Sequence, residues 1–382
     1  MSYLNVFEPV KMTKRIFLTL LIVLVPMLAW SDKKVTKPQK RKPVKTEQTH
    51  KPTHPKKDPT HPKKEPTKKP TPLEEPTNPS KKDEPKRETN ANVSKPETQT
   101  QSQVPSANEY PLLEFRITDR EKRTVEVKAK NKITSPTDII IPSEVKINGT
   151  VFKVTSIGKY AFMLCKGMVS ITIPTSVTSI GEYAFGWCDG LTSITIPNSV
   201  ISIGESAFGW CEGLTNITIP QSVISIGGAA FYKCKNLKSV TIPNSVTDIG
   251  NGAFYECTSL TSITIPDSVQ TISIGVFKGC SSLKSVTIPN SVTSIGKNAF
   301  GWCEGLTNIN IPQSVISIGE SAFAGCTSLT SITIPNSVTD FKKDAFNGCS
   351  NLMSVTMPAK FKSQRKKIFS KCPKLKTFNY TE

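Results

Sequence analysis

The chain has 382 residues, enough for two or three ordinary domains, yet its 29 prolines are clustered and Lys plus Arg outnumber Asp plus Glu by 49 to 30. The basic excess is +2 over residues 1–31, +8 over 32–109 and +9 over 110–382, so it is spread along the chain and not gathered at one site. Such a balance favours anionic surfaces through screened, sequence-blind attraction and singles out no partner.

Residues 1–31 read as an export signal: Lys11, Lys14 and Arg15, an apolar run over 16–28, then Ala29-Trp30-Ser31 with small residues where a signal peptidase reads. The run is short for a membrane span, which takes about 20 residues, so a cleaved signal is expected ahead of a retained anchor, with Met12 as an alternative start. No second apolar run occurs later, so no transmembrane helix is expected in the mature chain. Residues 32–109 are Lys, Pro, Thr and Glu with near-repeats such as KPTHPKKDPTHPKKEPTKKP and no aromatic residue. That composition cannot form a core, and it reads as a disordered basic tether reaching up to roughly 240 Å at about 3.1 Å per residue. All three histidines, His50, His54 and His61, lie here beside prolines, which speaks against a metal site.

Residues 110–141 change to LEFRIT, a charged DREK and RTVEVKA, the alternation of a β-hairpin, read as the N-terminal cap of a repeat array. From there one spacing organises the chain. The ten cysteines from Cys165 to Cys372 recur every 23 residues, as do the phenylalanines from Phe162 to Phe369, the prolines from Pro174 to Pro358 and the leucines from Leu191 to Leu375. A fixed period of this length marks a stacked solenoid. In LTSITIP, Leu191, Ile194 and Ile196 alternate with Thr192, Ser193 and Thr195 as a half-buried strand; proline ends it; Val200 and Ile203 face inward on a second extended stretch; and AFGWC is expected to form a single helical turn. The cysteine column reads as buried reduced thiols, small hydrophobes in equivalent places, with disulfides between adjacent coils as the alternative.

The order strand, IP, IG, AF and C at a step of 23 resembles the BspA-like, treponemal-type leucine-rich repeats over residues 142–372. The resemblance implies a β-rich solenoid of right-handed stacked coils, short parallel strands plus helical turns, over ten repeats in 142–374, with 375–382 ending the C-terminal cap. It further implies a secreted or cell-surface bacterial protein, the periplasm being the alternative, that binds host matrix or cell-surface proteins or other bacteria. Departures fall at Ser273 and Lys342, where glycine is expected, at a nine-residue insertion in the first unit, and over 359–382, where only Phe369, Cys372 and Leu375 keep the schedule.

Catalysis finds little support. The repeats hold no histidine, and the outward strand positions, Thr195, Thr218, Thr241, Thr264, Thr287, Asn310 and Thr333 among them, carry no carboxylate, so neither a general base nor an activated nucleophile is in place. No cofactor or metal is expected. These positions and an edge stripe of Trp187, Trp210, Tyr232, Tyr255 and Trp302 are the candidate ligand-binding residues, with the alternative that the aromatics merely cover the neighbouring coil. The basic end, Lys360, Lys362, Arg365, Lys366, Lys367, Lys371, Lys374 and Lys376, suits a solvated cap or, with the tether, an anionic glycan or wall polymer; no nucleic acid is expected. An adhesin-type binding module is the leading reading and an envelope scaffold held by the basic tether the alternative. A thermal-hysteresis role for the Thr rows is a remote third.

Overall fold

The computed structural model describes residues 103–382. The expected signal segment and nearly all of the expected tether lie outside them. Within them the chain winds as three-sided coils whose core is one continuous column of Phe, Cys, Leu, Ile, Val and Ala.

Each side follows from the repeat. On the first, the strands Asn216–Thr218, Ser239–Thr241, Ser262–Thr264, Ser285–Thr287 and Ser331–Thr333 show the burial order exposed, buried, exposed that their alternation dictates. Proline, lacking an N–H, then opens a turn in which its carbonyl accepts from the valine three residues on, as in Val200 N to Pro197 O at 3.0 Å. The serine inside that turn donates its hydroxyl to the previous coil, Ser199 Oγ to Val177 O at 2.6 Å, and six further coils repeat the bond. The second side is a two-residue Ser-Ile rung, paired in parallel from Ser179–Ile180 to Asp248–Ile249 and again from Thr271–Ile272 to Asp340–Phe341.

The third side corrects one expectation: AFGWC is not a helical turn. Overlapping turns run through it, with Ala184 N bonding Gly181 O, Gly186 N bonding Tyr183 O and Cys188 N bonding Phe185 O, while the residues between donate along the axis, Tyr183 N to Glu205 O, Phe185 N to Ala207 O and Trp187 N to Gly209 O. A helix would direct those donors back along its own chain and leave the next coil unpaired. The alternation requires positive φ at two places in the coil, seen at Tyr183 (52°) and Trp187 (60°). For a non-glycine residue that conformation costs about 1 kcal/mol, and glycine occupies the second place at Gly279, Gly325 and Gly348.

The columns stack tightly. Successive phenylalanine rings from Phe162 to Phe369 are near-parallel, with centroids 4.9–5.7 Å apart. All ten cysteines are free, nine of them buried. Each thiol from Cys188 to Cys372 donates to the phenylalanine carbonyl of the coil before it, Cys211 Sγ to Phe185 O at 3.0 Å for example. Cysteine is thus a small hydrophobe with a donor placed where alanine or valine would offer none. Coils approach so closely at the IG glycine that a Cβ on Gly204 would sit 2.7 Å from the Gly181 carbonyl carbon.

Ser273 occupies that glycine place, and the second side breaks there. Its N–H no longer reaches Ile249 O; its hydroxyl does, at 2.7 Å, and Ile274 N turns to Asn251 Oδ1 at 3.1 Å. The turn bond from Val276 N to Ser273 O stretches to 3.5 Å, and a cavity of about 10 Å³ opens among Ile249, Val269, Ser273, Val276 and Phe277. The third side stays closed across the same junction, with Phe254 N to Val276 O at 2.9 Å. Lys342, the second departure, keeps the main-chain bond to Ile318 O at 3.0 Å, and nothing further in the structure explains it.

The ends are closed by different devices. Leu113–Asp119 and Thr124–Ala129 form an antiparallel hairpin whose second strand pairs with Thr150–Ile157. The insertion in the first unit is a second hairpin, Glu144–Ile147 with Thr150–Ile157, joined by Asn148 and Gly149 at positive φ. The fold also reaches further back than composition suggests: 103–109, read as tether, are ordered, because Lys146 N bonds Pro105 O at 2.9 Å and Ser106 N bonds Glu109 Oε1 at 2.6 Å. At the other end 375–382 is not merely cap, since Thr377–Thr381 is a regular parallel rung on Ser354–Pro358. Ala359–Gln364 and Arg365–Ile368 form short helical segments that bring Phe361, Ile368 and Phe369 over the last coil.

Three outcomes are expected. Phe231→Ala should lower stability by about 3–5 kcal/mol in denaturant titration, since the ring is fully buried between two neighbours. Burial raises the thiols, Cys280 and Cys326 from 9.0 to about 12, so their stabilising contribution is complete below pH 9 and is lost as pH rises toward 12, by about 1.4 kcal/mol per thiol per pH unit. Thermal melts should therefore fall steeply over that window, less so in Cys280→Ala, and a native thiol reagent at pH 8 should leave the nine buried cysteines unmodified while an unfolded sample yields all ten. Ser273→Gly should restore the main-chain bond and slow hydrogen exchange near residues 270–273, with little change in melting because glycine gives back about 0.5–1 kcal/mol in chain entropy.

Candidate functional site

The first side presents columns of like residues. One runs Ile140, Thr172, Thr195, Thr218, Thr241, Thr264, Thr287, Asn310, Thr333, Thr356 and Asn379, set by the 23-residue step and by pairings such as Ile140 with Thr172, Thr218 with Thr241 and Thr356 with Asn379. The seven of these singled out by sequence are all exposed. A parallel column, Thr192, Thr215, Lys238, Thr261, Lys284 and Thr307, ties some hydroxyls to the coil before, Thr215 Oγ1 to Thr192 O at 3.3 Å and Thr307 Oγ1 to Lys284 O at 3.4 Å. By contrast, among the described residues the hydroxyls of Thr195, Thr218, Thr241, Thr264, Thr287 and Thr333 have no protein partner. They stand as a row of free donors and acceptors about 4.8 Å apart, one per coil except where Asn310 takes the place.

The aromatic edge lies on the third side. Trp187 and Trp210 stack at 4.2 Å, Trp210 meets Tyr232 at 4.5 Å, and Tyr232 stacks on Tyr255 at 5.0 Å. Trp302, distant in sequence, joins through Lys278, whose ammonium lies 5.2 Å from the Tyr255 ring and 4.9 Å from the Trp302 ring. Sequence reasoning missed Tyr160 and Tyr183, which extend the stack at 5.5 and 6.0 Å, as well as the bridging Lys278. The available signal was Tyr160 and Tyr183 recurring at the first positive-φ place of the coil. Because the rings stack along the axis, their faces are spent on one another: Trp210 is 8% exposed, and Trp302, of the five aromatics singled out, is the exposed one at 47%. Burial raises the Tyr232 hydroxyl above its ordinary value and lowers the Lys278 ammonium.

Five carboxylates, Glu182, Asp189, Glu212, Glu256 and Glu320, are engaged as ion pairs between coils. Lys159 to Glu182 spans 2.7 Å, Lys166 to Asp189 2.8 Å and Lys235 to Glu212 2.7 Å. Hydrogen bonding from Lys297 holds Glu320 below the usual carboxylate range. Among the described residues no group of His, Cys, Asp and Glu is placed to hold a metal ion. What the arrangement offers is recognition: a row of uncommitted hydroxyls on a rigid backbone, with an aromatic seam behind it.

A profile of the BspA-type leucine-rich repeat region matches residues 155–284 and 271–382, in 6 copies. Among solved structures the chain is similar to a leucine-rich repeat protein from Bacteroides ovatus ATCC 8483, at 34% identity and a TM-score of 0.63, covering 70% of each chain. It is also similar to the leucine-rich repeat protein of T. pallidum, at 30% identity over 52% of this chain and 89% of that one with a TM-score of 0.47. The pneumococcal vaccine antigen PcpA aligns at 21% identity over 64% of this chain and 80% of that one with a TM-score of 0.39. No curated protein matches. The period, the coil and the matched residues together place the chain in the BspA-type leucine-rich repeat family, a family of protein-interaction modules.

Proposed function

We propose that the chain is a cell-surface adhesin that docks host matrix or cell-surface proteins, or other bacteria, on its hydroxyl face. The observation that carries this reading is the row of exposed hydroxyls from Thr195 to Thr333 without protein partners, repeated in every coil but the one that carries Asn310. Many small polar contacts on a rigid surface give specificity with little ordering cost on the repeat side. BspA-type repeat proteins are usually surface-exposed, and no helix among the described residues is long and apolar enough to cross a membrane. Export by residues 1–31 and a tether over 32–102 complete the reading: the tether holds the repeats away from the cell. The aromatic seam serves chiefly to cover the turns, since its ring faces are taken, with Trp302 its accessible end.

The second reading, an envelope scaffold, draws on the +8 of residues 32–109, which suits anionic wall polymers. Deleting residues 32–102, which leaves the ordered residues 103–109 in place, separates the two: an adhesin keeps its soluble ligand, whereas a scaffold loses its attachment to envelope fractions.

The direct test places Thr218→Arg, Thr241→Arg and Thr264→Arg together on the face and measures capture of purified matrix glycoproteins and of whole bacterial cells. At least a tenfold loss of capture with an unchanged melting temperature is expected. Trp187→Ser with Trp210→Ser should instead lower the melting temperature and leave capture intact. Capture undiminished by the three arginines removes the face from consideration.

A further inference from the structure

Along the coils, several lysines are neutralised as they stack. Lys159, Lys166, Lys235 and Lys297 each meet a carboxylate 23 residues away at 2.7–3.0 Å. Residues 359–382 depart from this. They hold Lys360, Lys362, Arg365, Lys366, Lys367, Lys371, Lys374 and Lys376 against a single acid, Glu382. Of the +9 carried by residues 110–382, +7 therefore falls in this last stretch, leaving +2 for all the coils before it. Among the described residues none of the eight forms an ion pair. Asp344, whose N–H bonds Lys367 O, has its carboxylate engaged by the Ser370 hydroxyl at 2.6 Å.

Several of these cations are also held in place. Lys362 lies 5.3 Å from the Tyr380 ring and the Arg365 guanidinium 5.5 Å from the Phe378 ring, with Arg365 Nη1 donating to Tyr380 Oη at 3.2 Å. Lys374 Nζ donates to Asn351 Oδ1 at 2.7 Å. Cations fixed in advance lose less side-chain entropy when an anion arrives.

We infer that this end of the repeat array is a binding site for a linear polysaccharide carrying sulfate or phosphate esters, separate from the hydroxyl face and independent of whichever partner docks there. Seven of the eight cations are lysines, compact point charges that can meet the oxygens of a sulfate or phosphate ester without a fixed approach geometry, as lysines at phosphate sites do. A membrane surface fits less well, because Phe361, Ile368 and Phe369 are buried and Phe378 and Tyr380 lie beneath Arg365 and Lys362, so that Met353 alone of the exposed large apolar side chains borders these cations, too little to anchor in a bilayer. Nucleic acid fits less well still: the α-helix here has four residues, too short to read a groove, and the aromatic faces that would stack on bases carry the cations.

The test uses the full chain and reads salt elution from immobilised heparin, for sulfate esters, and from immobilised phosphomannan, for phosphate esters. Lys366→Glu, Lys367→Glu and Lys371→Glu are combined in one variant; Lys153→Glu, Lys238→Glu and Lys284→Glu, also exposed, form a control with the same change in net charge. Melting curves verify that both remain folded, and a Lys→Gln version of the first set gives a graded intermediate. We expect the end-face variant to elute at clearly lower salt, corresponding to about tenfold weaker binding at physiological ionic strength, with the control close to the parent. Retention on one matrix or on both identifies the ester. Equal shifts in the two variants, or no shift in either, overturn the proposal, because binding then reflects net charge or the basic N-terminal segment. Tighter binding to anionic vesicles or duplex DNA than to either polysaccharide, with the same dependence on Lys366, Lys367 and Lys371, overturns it as well.

Discussion

Main-chain groups that point along the solenoid axis must find their partner in the next coil, and that requirement shapes everything else in the molecule. A strand satisfies it on the first two sides. On the third, where the chain must turn, it is met by alternating turn bonds within the coil with donors between coils, at the expense of positive φ at places such as Tyr183 and Trp187. Once the axial bonds are made, every side chain is carried to the same place one coil on. The columns of Phe, Cys and Leu result from this, because a side chain that fits one coil fits the next.

The same constraint explains where the array is weakest. At Gly181, Gly204, Gly227, Gly250, Gly296 and Gly319 a Cβ would collide with the backbone of the preceding coil, so glycine there meets a steric necessity, to which Lys342, with its main-chain bond kept, is the exception. Ser273 shows the consequence of waiving that necessity: the hydroxyl takes over the bond that the N–H gives up, and the two-residue rung on that side fails to pair. The phenylalanine, thiol and turn bonds continue across the junction. Local exchange is thus the property most sensitive to this junction, and global stability the least.

The legible part of the sequence is the part that repeats. The buried columns, the strand face and the unbridged thiols could be read because a residue kept at ten equivalent places answers to one environment. Backbone conformation was less legible: AFGWC looks helical by composition, and only the demand for axial hydrogen bonds, which acts between residues 23 apart, rules the helix out. The second hairpin was missed although Asn148-Gly149 between alternating apolar residues is a strong local signal, because the period drew it into an insertion without structure of its own. The aromatic seam was seen in part. Tyr160 and Tyr183 sit four residues before the tryptophan place, and their contact depends on the positive φ that sequence reading did not supply. Lys278 joins Trp302 to the seam only through the geometry of stacking.

A solenoid separates duties that a globular fold mixes. The interior is fixed by period and tolerates almost no variety, so variation is confined to outward positions, and each side of the coil varies independently of the others. Here the first side remains nearly uniform in small hydroxyls and amides, while the third alternates aromatics, acids and lysines that pair between coils. Residues 359–382 differ from the coils before them in holding eight cations against one acid, Glu382. None of these eight forms an ion pair among the described residues, whereas Lys159, Lys166, Lys235 and Lys297 do, so this stretch differs from the sides of the stack in the electrostatic field it presents.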